Sequence, residues 1–182
     1  MRLFVGIPLA AEVSSELAAM ARRLACAAEG LRWTAPASWH ITLEFLGNST
    51  REQCACVVKR LRALHQPPVP ITLEKLDIFD RAGVLILTVR PTPELLRIAE
   101  RVRRATGPCG FAAESRPYQP HITLARGKGR DGGARLAALR AKISRQPRFN
   151  GFTAREFLLY ESFLAPAGSR YEVRERFALD EA

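Results

Sequence analysis

The chain has 182 residues, 47% of them apolar and 25% charged, an ordinary globular composition long enough to bury a core without staples. No apolar run reaches the roughly 18 residues that a membrane-spanning helix needs, and the short apolar opening Met1–Pro8 has no small-residue cleavage site, so no membrane role and a cytoplasmic location are expected. The net charge of +10 favours a polyanionic partner, although arginines outnumber lysines 24 to 4, a bias that genome composition alone can produce.

In chain order, Leu3–Ile7 reads as a first strand ended by Pro8. Val13, Leu17, Met20 and Leu24 fall at helical spacing and predict a helix over Ala11–Ala28, stopped by Gly30. Trp39–Leu46 is a strand closed by Gly47-Asn48. Ser49-Thr50 with Glu52 or Gln53 forms a capping-box signal, so a helix follows to about Leu64, broken by Pro67-Pro68. Val69–Leu76 and Val84–Val89 are strands about the turn Asp80–Gly83. Thr92-Pro93 opens a helix with the apolar stripe Leu95, Ile98, Ala99 and Val102, ended by Gly107-Pro108, and its Arg97, Arg101 and Arg104 read as a solvated face. His121–Ala125 is a strand, Gly127–Gly133 a flexible basic loop, and Ala134–Ser144 a helix. Strands Phe149–Thr153, Glu156–Phe163 and Tyr171–Leu179 close the chain, the last pair turned by Pro166-Ala167-Gly168. Hairpins mixed with helical excursions give an α+β class with largely antiparallel sheet, and no linker separates independent domains, so residues 1–182 form one domain.

The four cysteines, Cys26, Cys54, Cys56 and Cys109, lack zinc-site spacing. They read as reduced structural thiols, with Cys54 and Cys56 diverging on their helix.

The informative feature is a repeat. Of three histidines, two begin the same tetrapeptide, His40-Ile41-Thr42-Leu43 and His121-Ile122-Thr123-Leu124, 81 residues apart. A given histidine is followed by Ile-Thr-Leu with a chance on the order of 10⁻³ or less. Each copy is strand-like, followed by glycine and then a helix, which implies two related lobes. Alternation on a strand puts His and Thr on one face and Ile and Leu on the other, with Phe45 expected on the apolar side and Glu44 on the His40 side. Two such strands side by side bring two imidazoles and two hydroxyls to one cleft. Such a cleft suits opening of a cyclic phosphate, in which water needs a general base and the leaving ribose oxygen a general acid. The threonine hydroxyls can donate to phosphoryl oxygens. The scheme calls for no metal and no cofactor.

These motifs resemble those of the two-histidine phosphoesterase superfamily, and more closely the bacterial and archaeal RNA 2′,3′-cyclic phosphodiesterases, also called the 2′-5′ RNA ligase family. The likeness extends to the opening Met1–Pro8, to Leu31-Arg32-Trp33 leading into Trp39–Gly47, to Tyr118–Arg126, and to Tyr160–Pro166 with Tyr171-Glu172-Val173. It implies two pseudo-symmetric lobes, each a mainly antiparallel sheet backed by helices, with a central cleft. It implies His40 as proton donor, His121 as proton acceptor, and Thr42 and Thr123 on the phosphate. Arg126 matches a basic position that pairs with phosphate, and Tyr118 is a possible substrate contact. The implied partner is an RNA end or tRNA fragment bearing a 2′,3′-cyclic phosphate, converted to a 2′-phosphate; a monomer is expected. Two alternatives stand beside hydrolysis: reversible ATP-independent 2′-5′ ligation of tRNA halves, and a non-catalytic module that binds RNA ends.

Other residues draw blander expectations. Glu44 either raises a neighbouring histidine's pKa or, on the blander reading, sits at the solvent end of the cleft against an arginine; His65 faces a helix dipole without chemistry, and Phe4 and Trp39 pack in the core. Trp33 is free to stack a base. The Gly127–Gly133 loop lacks a P-loop ending and is read as a mobile basic loop that touches RNA.

Overall fold

In the computed structural model of the chain, all residues are described except 28–29, 113–115, 128, 130, 144–148, 166–167 and 181–182, together with the side chains of 27, 164, 165 and 168. The expected helix ends at Ala28 and Ser144, the loop cations Lys128 and Arg130, and the Pro166-Ala167 turn thus lie outside the described residues.

Most predicted elements form where the patterns place them, but the strand expected over Phe149–Thr153 is Phe152–Ala154, and the loop expected over Gly127–Gly133 gives Gly127 to a strand and Gly132-Gly133 to a helix. Strand β1 is Arg2–Pro8 and helix α1 is Ala11–Ala27. A short strand β2, Leu31–Trp33, and a 3-10 turn, Pro36–Ser38, lead into β3, His40–Asn48. Helix α2, Arg51–Arg62, begins with the anticipated capping box, in which Thr50 accepts from the Gln53 amide and the Gln53 side chain accepts from the Thr50 amide. Strands β4 (Val69–Ile71), β5 (Leu73–Phe79) and β6 (Val84–Val89) precede α3, Pro93–Thr106, which Thr92 caps with Pro93 in the first turn. Then come β7 (His121–Gly127), α4 (Gly132–Ile143), β8 (Phe152–Ala154), β9 (Glu156–Ala165) and β10 (Gly168–Ala178). The stripe residues Leu95, Ile98, Ala99 and Val102 of α3 and Leu136, Leu139 and Ile143 of α4 are buried.

Among the described residues two four-stranded sheets result, in the orders β10-β9-β1-β3 and β2-β7-β6-β5, with β4 and β8 paired separately, and every pairing is antiparallel. The element order repeats: β1, α1, β3, α2, β4, β5, then β6, α3, β7, α4, β8, β9. The repeats exchange their last strands. β5 joins the sheet of β6 and β7, β9 joins the sheet of β1 and β3, and β4 pairs with β8 across the repeats. Neither lobe is built from one half of the chain.

Several expectations are corrected. Leu31–Trp33 is a strand, held by β7 through pairs such as Arg32 with Arg126. The single strand expected over Val69–Leu76 is two strands in different sheets, broken at Thr72, whose carbonyl accepts from Arg90 instead of continuing a ladder. Arg101 is not simply solvated, because its guanidinium donates to the His65 carbonyl and the Gln66 side chain.

The largest correction concerns strand faces. Val5 pairs with Glu44 but Gly6 with Thr42, so Leu43 is an extra residue in β3. Leu85 pairs with Ala125 but Ile86 with Thr123, so Leu124 is extra in β7. Such a bulge inverts the alternation beyond it. Glu44 therefore turns into the interior at 8% exposure, and Phe45 stands out at 73%. Ala125 and Arg126 repeat the pattern, buried and exposed.

The cysteine expectation also fails. Cys56 on α2 forms a disulfide with Cys109, in the 3-10 turn Gly107–Cys109 after α3, with 53 residues of sequence separation, while Cys26 and Cys54 are free. The divergence of Cys54 and Cys56 on one helix lets only Cys56 reach that turn. A disulfide is what oxidising compartments preserve, so cysteine usage no longer supports a cytoplasmic location. No helix among the described residues is long and apolar enough to cross a membrane.

Closing so long a loop stabilises the fold by about 4 kcal/mol on a chain-entropy view. Calorimetry with and without dithiothreitol, and on Cys56→Ser, is expected to show the melting temperature fall by roughly 5–15 °C on loss of the bond. An unchanged melting temperature would refute the staple.

Candidate active site

Each sheet turns one face to the core and carries the motif residues on the other. On the first, the non-core face holds Phe4, Gly6, His40, Thr42, Phe45, Tyr160 and Tyr171; Phe4 and Tyr160 cluster with Leu158 apart from the main core. On the second it holds Val84, Ile86, His121, Thr123 and Arg126, with Phe79 beside them. Both histidines and both threonines are half-buried.

The two imidazoles are anchored identically. His40 Nδ1 lies 2.8 Å from the Ser38 carbonyl, and His121 Nδ1 lies 2.7 Å from the Gln119 carbonyl, each two residues upstream. Local sequence supplies both acceptors. The 3-10 turn opened by Pro36 spends the Ala35 and Pro36 carbonyls on its own amides, leaving that of Ser38 free. Pro120 confines Gln119 to extended backbone. A carbonyl only accepts, so Nδ1 carries a proton in either charge state, and Nε2 is the atom whose proton comes and goes.

The surroundings of the rings differ. His40 lies against an aromatic trio, with ring centroids 4.6 Å from Phe4, 5.2 Å from Tyr171 edge-on and 5.7 Å from Tyr160. It fits there because position 6 is glycine: a Cβ on Gly6 would stand 3.0 Å from the Ile41 carbonyl and 3.3 Å from the His40 ring. The corresponding residue of the other lobe, paired to Thr123, is Ile86. His121 meets one ring, Phe79, edge-on at 5.1 Å.

Burial lowers the pKa of His40 to about 4; the Ser38 carbonyl opposes this, and the nearby His121 and Arg126 push it further down. Burial also lowers that of His121, against the Gln119 carbonyl and with Arg126. Arg126 thus acts on both imidazoles, which share one electrostatic site. Among the described residues neither threonine hydroxyl has a protein partner, and no group of three or more His, Cys, Asp or Glu side chains is arranged to hold a metal ion.

The sequence-predicted residues sort as follows. His40, Thr42, His121, Thr123 and Arg126 lie on the two non-core faces. Arg126 does so only because of the bulge at Leu124, since strict alternation would have turned it away from His121. Tyr118, expected as a substrate contact, donates its hydroxyl to the Thr42 carbonyl at 2.9 Å, under the Arg103 guanidinium 5.2 Å from its ring centre. That geometry fits a clamp between the segment before β7 and strand β3. Glu44 neither neighbours the histidines nor pairs with an arginine at the cleft mouth. The bulge at Leu43 sends it inward, where Thr106 Oγ1 lies 2.6 Å away and burial raises its pKa. Trp39 is in the core as expected, and Trp33 packs against the core instead of standing free.

Sequence reasoning missed Gly6, Phe45, Tyr160, Tyr171 and Phe79 as site residues and placed Phe4 in the main core. All depend on register between distant strands. The prior signal was the family likeness of the segments that hold Phe4, Gly6, Phe45, Tyr160 and Tyr171; Phe79 had none.

Against models of known families, residues 13–162 match the 2′-5′ RNA ligase superfamily. The RNA 2′,3′-cyclic phosphodiesterase of Escherichia coli strain K12 is 31% identical over 180 residues, 98% of this chain and 96% of that protein. The crystal structure of E. coli LigT in apo form matches with a TM-score of 0.83 at 29% identity, covering 99% of this chain and 98% of that one. The same protein complexed with 3′-AMP matches with a TM-score of 0.80 at 29% identity, covering 98% and 97%.

An NMR titration of the ligand-free protein is expected to show His40 titrating near 4 and His121 below 6.5. In this window the unfolded chain binds protons that the native state refuses, so stability falls as pH drops from 6.5 towards 4. Gly6→Ala is expected to shift the His40 ring resonances and leave those of His121 in place. Equal shifts at both rings would show that Gly6 has no special bearing on His40.

Proposed function

The chain belongs to the 2′-5′ RNA ligase superfamily, and on that premise we propose that its cleft hydrolyses 2′,3′-cyclic phosphates at RNA ends to 2′-phosphomonoesters. It is an RNA 2′,3′-cyclic phosphodiesterase, a hydrolase. The observation that carries the mechanism is the paired anchoring of both Nδ1 atoms on carbonyls, which leaves two Nε2 atoms for proton transfer.

In this reading water attacks phosphorus and passes its proton to His121 Nε2. The bond from phosphorus to O3′ breaks, and His40 Nε2–H protonates the leaving oxygen. Thr42 and Thr123 donate to the non-bridging oxygens, and Arg126 offsets the charge that builds there. The division of labour between the histidines follows from the family likeness. It also sets a requirement: His40, held near 4 by burial, must gain a proton to act as donor. The cyclic phosphate is an anion, and an anion between the rings and Arg126 raises both pKa values. Phe45 offers an exposed aromatic face at the position matching Arg126 in the other lobe, and a terminal base can stack on it. The exchange of β5 and β9 supports residues 1–182 acting as one two-lobed unit.

Purified protein in EDTA is expected to convert a nucleoside 2′,3′-cyclic phosphate wholly to the 2′-phosphate, followed by ³¹P NMR. Formation of the 3′-phosphate, or no turnover, would overturn the proposal. His40→Ala and His121→Ala are each expected to lose roughly 10²–10⁴-fold in kcat with the fold intact. Because kcat/KM reports the free enzyme, its pH optimum is expected below 6.5, with the kcat optimum displaced upward by bound phosphate. A kcat/KM optimum above 7 would contradict the burial of the two rings.

A further inference from the structure

Among the described residues strand β2 has no counterpart in the other lobe. It widens the second sheet by one strand on the side of β7 away from β6. Its middle residue, Arg32, is paired directly with Arg126. Directly opposed residues of antiparallel strands share a face. Leu31 and Trp33 on either side of Arg32 pack against the core, which leaves Arg32 exposed on the face that carries His121 and Thr123. The cleft therefore has two arginines abreast, one strand spacing of about 4.8 Å apart.

Two like charges placed opposite each other destabilise a sheet. Among the described residues some exposed arginines, Arg62, Arg90, Arg140, Arg170 and Arg176 among them, are relieved by a carboxylate, while others, such as Arg22 and Arg97, are not; what sets Arg32 and Arg126 apart is that they stand directly opposed. Among the described residues Arg32 and Arg126 have none. Arg126 bears on the two histidines and so belongs to the reacting phosphate. Arg32 lies one strand further out, where a second anion would relieve it.

We propose that Arg32 holds the phosphodiester on the 5′ side of the terminal nucleotide, so that the enzyme selects an RNA end over a free nucleoside 2′,3′-cyclic phosphate. This rests on the cleft being the cyclic phosphodiesterase site. The terminal nucleotide has its cyclic phosphate on O2′ and O3′, and the next anion along the chain is the one on O5′. A guanidinium offers that group a fork of donors as well as charge.

The test compares kcat/KM for adenosine 2′,3′-cyclic phosphate with that for a dinucleotide ending in the same group, in wild type, Arg32→Ala and Arg32→Lys, at two salt concentrations. Wild type is expected to favour the dinucleotide. Arg32→Ala is expected to lose roughly tenfold on the dinucleotide, mainly in KM, as for one hydrogen bond to a charged group, with the loss confined to that substrate. Arg32→Lys is expected to fall between. The salt dependence of the dinucleotide reaction should weaken by about 0.7 in log–log slope in Arg32→Ala, the value for one single-strand phosphate contact. Equal losses on both substrates, or a dinucleotide preference that survives Arg32→Ala, would overturn the role of Arg32 alone. Wild-type protein that turns over neither substrate would overturn the cleft function and the Arg32 role together.

Discussion

A matching extra residue in the two motif strands governs the site. Leu43 and Leu124 each interrupt a ladder directly after a motif threonine, and each inverts the strand beyond it. Without the interruption, β7 would present His121, Thr123 and Ala125 to the cleft and bury Arg126. With it, the strand presents His121, Thr123 and Arg126 and buries Ala125. A buried arginine would need a partner, and a phosphate site would lose its cation. The same inversion in β3 buries a carboxylate that would otherwise repel an anionic substrate, and replaces it with Phe45. Its proton-sharing partner, Thr106, lies on the far side of the sheet, at the end of α3.

Against that shared scaffold the lobes have diverged in ways that bear on proton transfer. His40 rests on three aromatic rings and on Gly6, which desolvates it strongly; His121 has one aromatic edge among the described residues, and Ile86 on the neighbouring strand. Desolvation is the leading cause of the lowered pKa in both, and it is deeper for His40. Two rings in a symmetric repeat would titrate alike and could not hold opposite protonation states with any preference. The aromatic trio breaks that degeneracy. Tyr118 then ties the halves together at the Thr42 carbonyl, so that the spacing of the motifs does not depend on the sheets alone.

Much of this was legible in the sequence, and the failures share a cause. Helices α3 and α4 bury the residues their periodicity names, the α2 capping box forms, and the doubled tetrapeptide marks the two strands that carry the site. These are local or repetitive signals. The bulges were not legible, because strict alternation is the default and nothing within His40–Leu46 betrays an extra residue; register is set by β1, more than 30 positions upstream. The exchange of β5 and β9, the place of β2, and the Cys56–Cys109 bond are likewise pairings between distant segments. Gly6 looks like any strand glycine until His40 is seen above it.

The electrostatics point to a site completed by its substrate. With both imidazoles biased towards neutrality and Arg126 facing both, the cleft holds the charges of Arg126 and Arg32 without a counter-ion among the described residues. Binding a cyclic phosphate reverses the balance, since the anion favours a proton on whichever ring can take one. The ring more deeply set among aromatics gains most from a neighbouring counter-charge, because the local dielectric that depressed its pKa also strengthens the attraction. Substrate binding and arming of the acid are then one event. A neutral ligand of the same shape would fill the cleft and leave His40 without the proton its role requires.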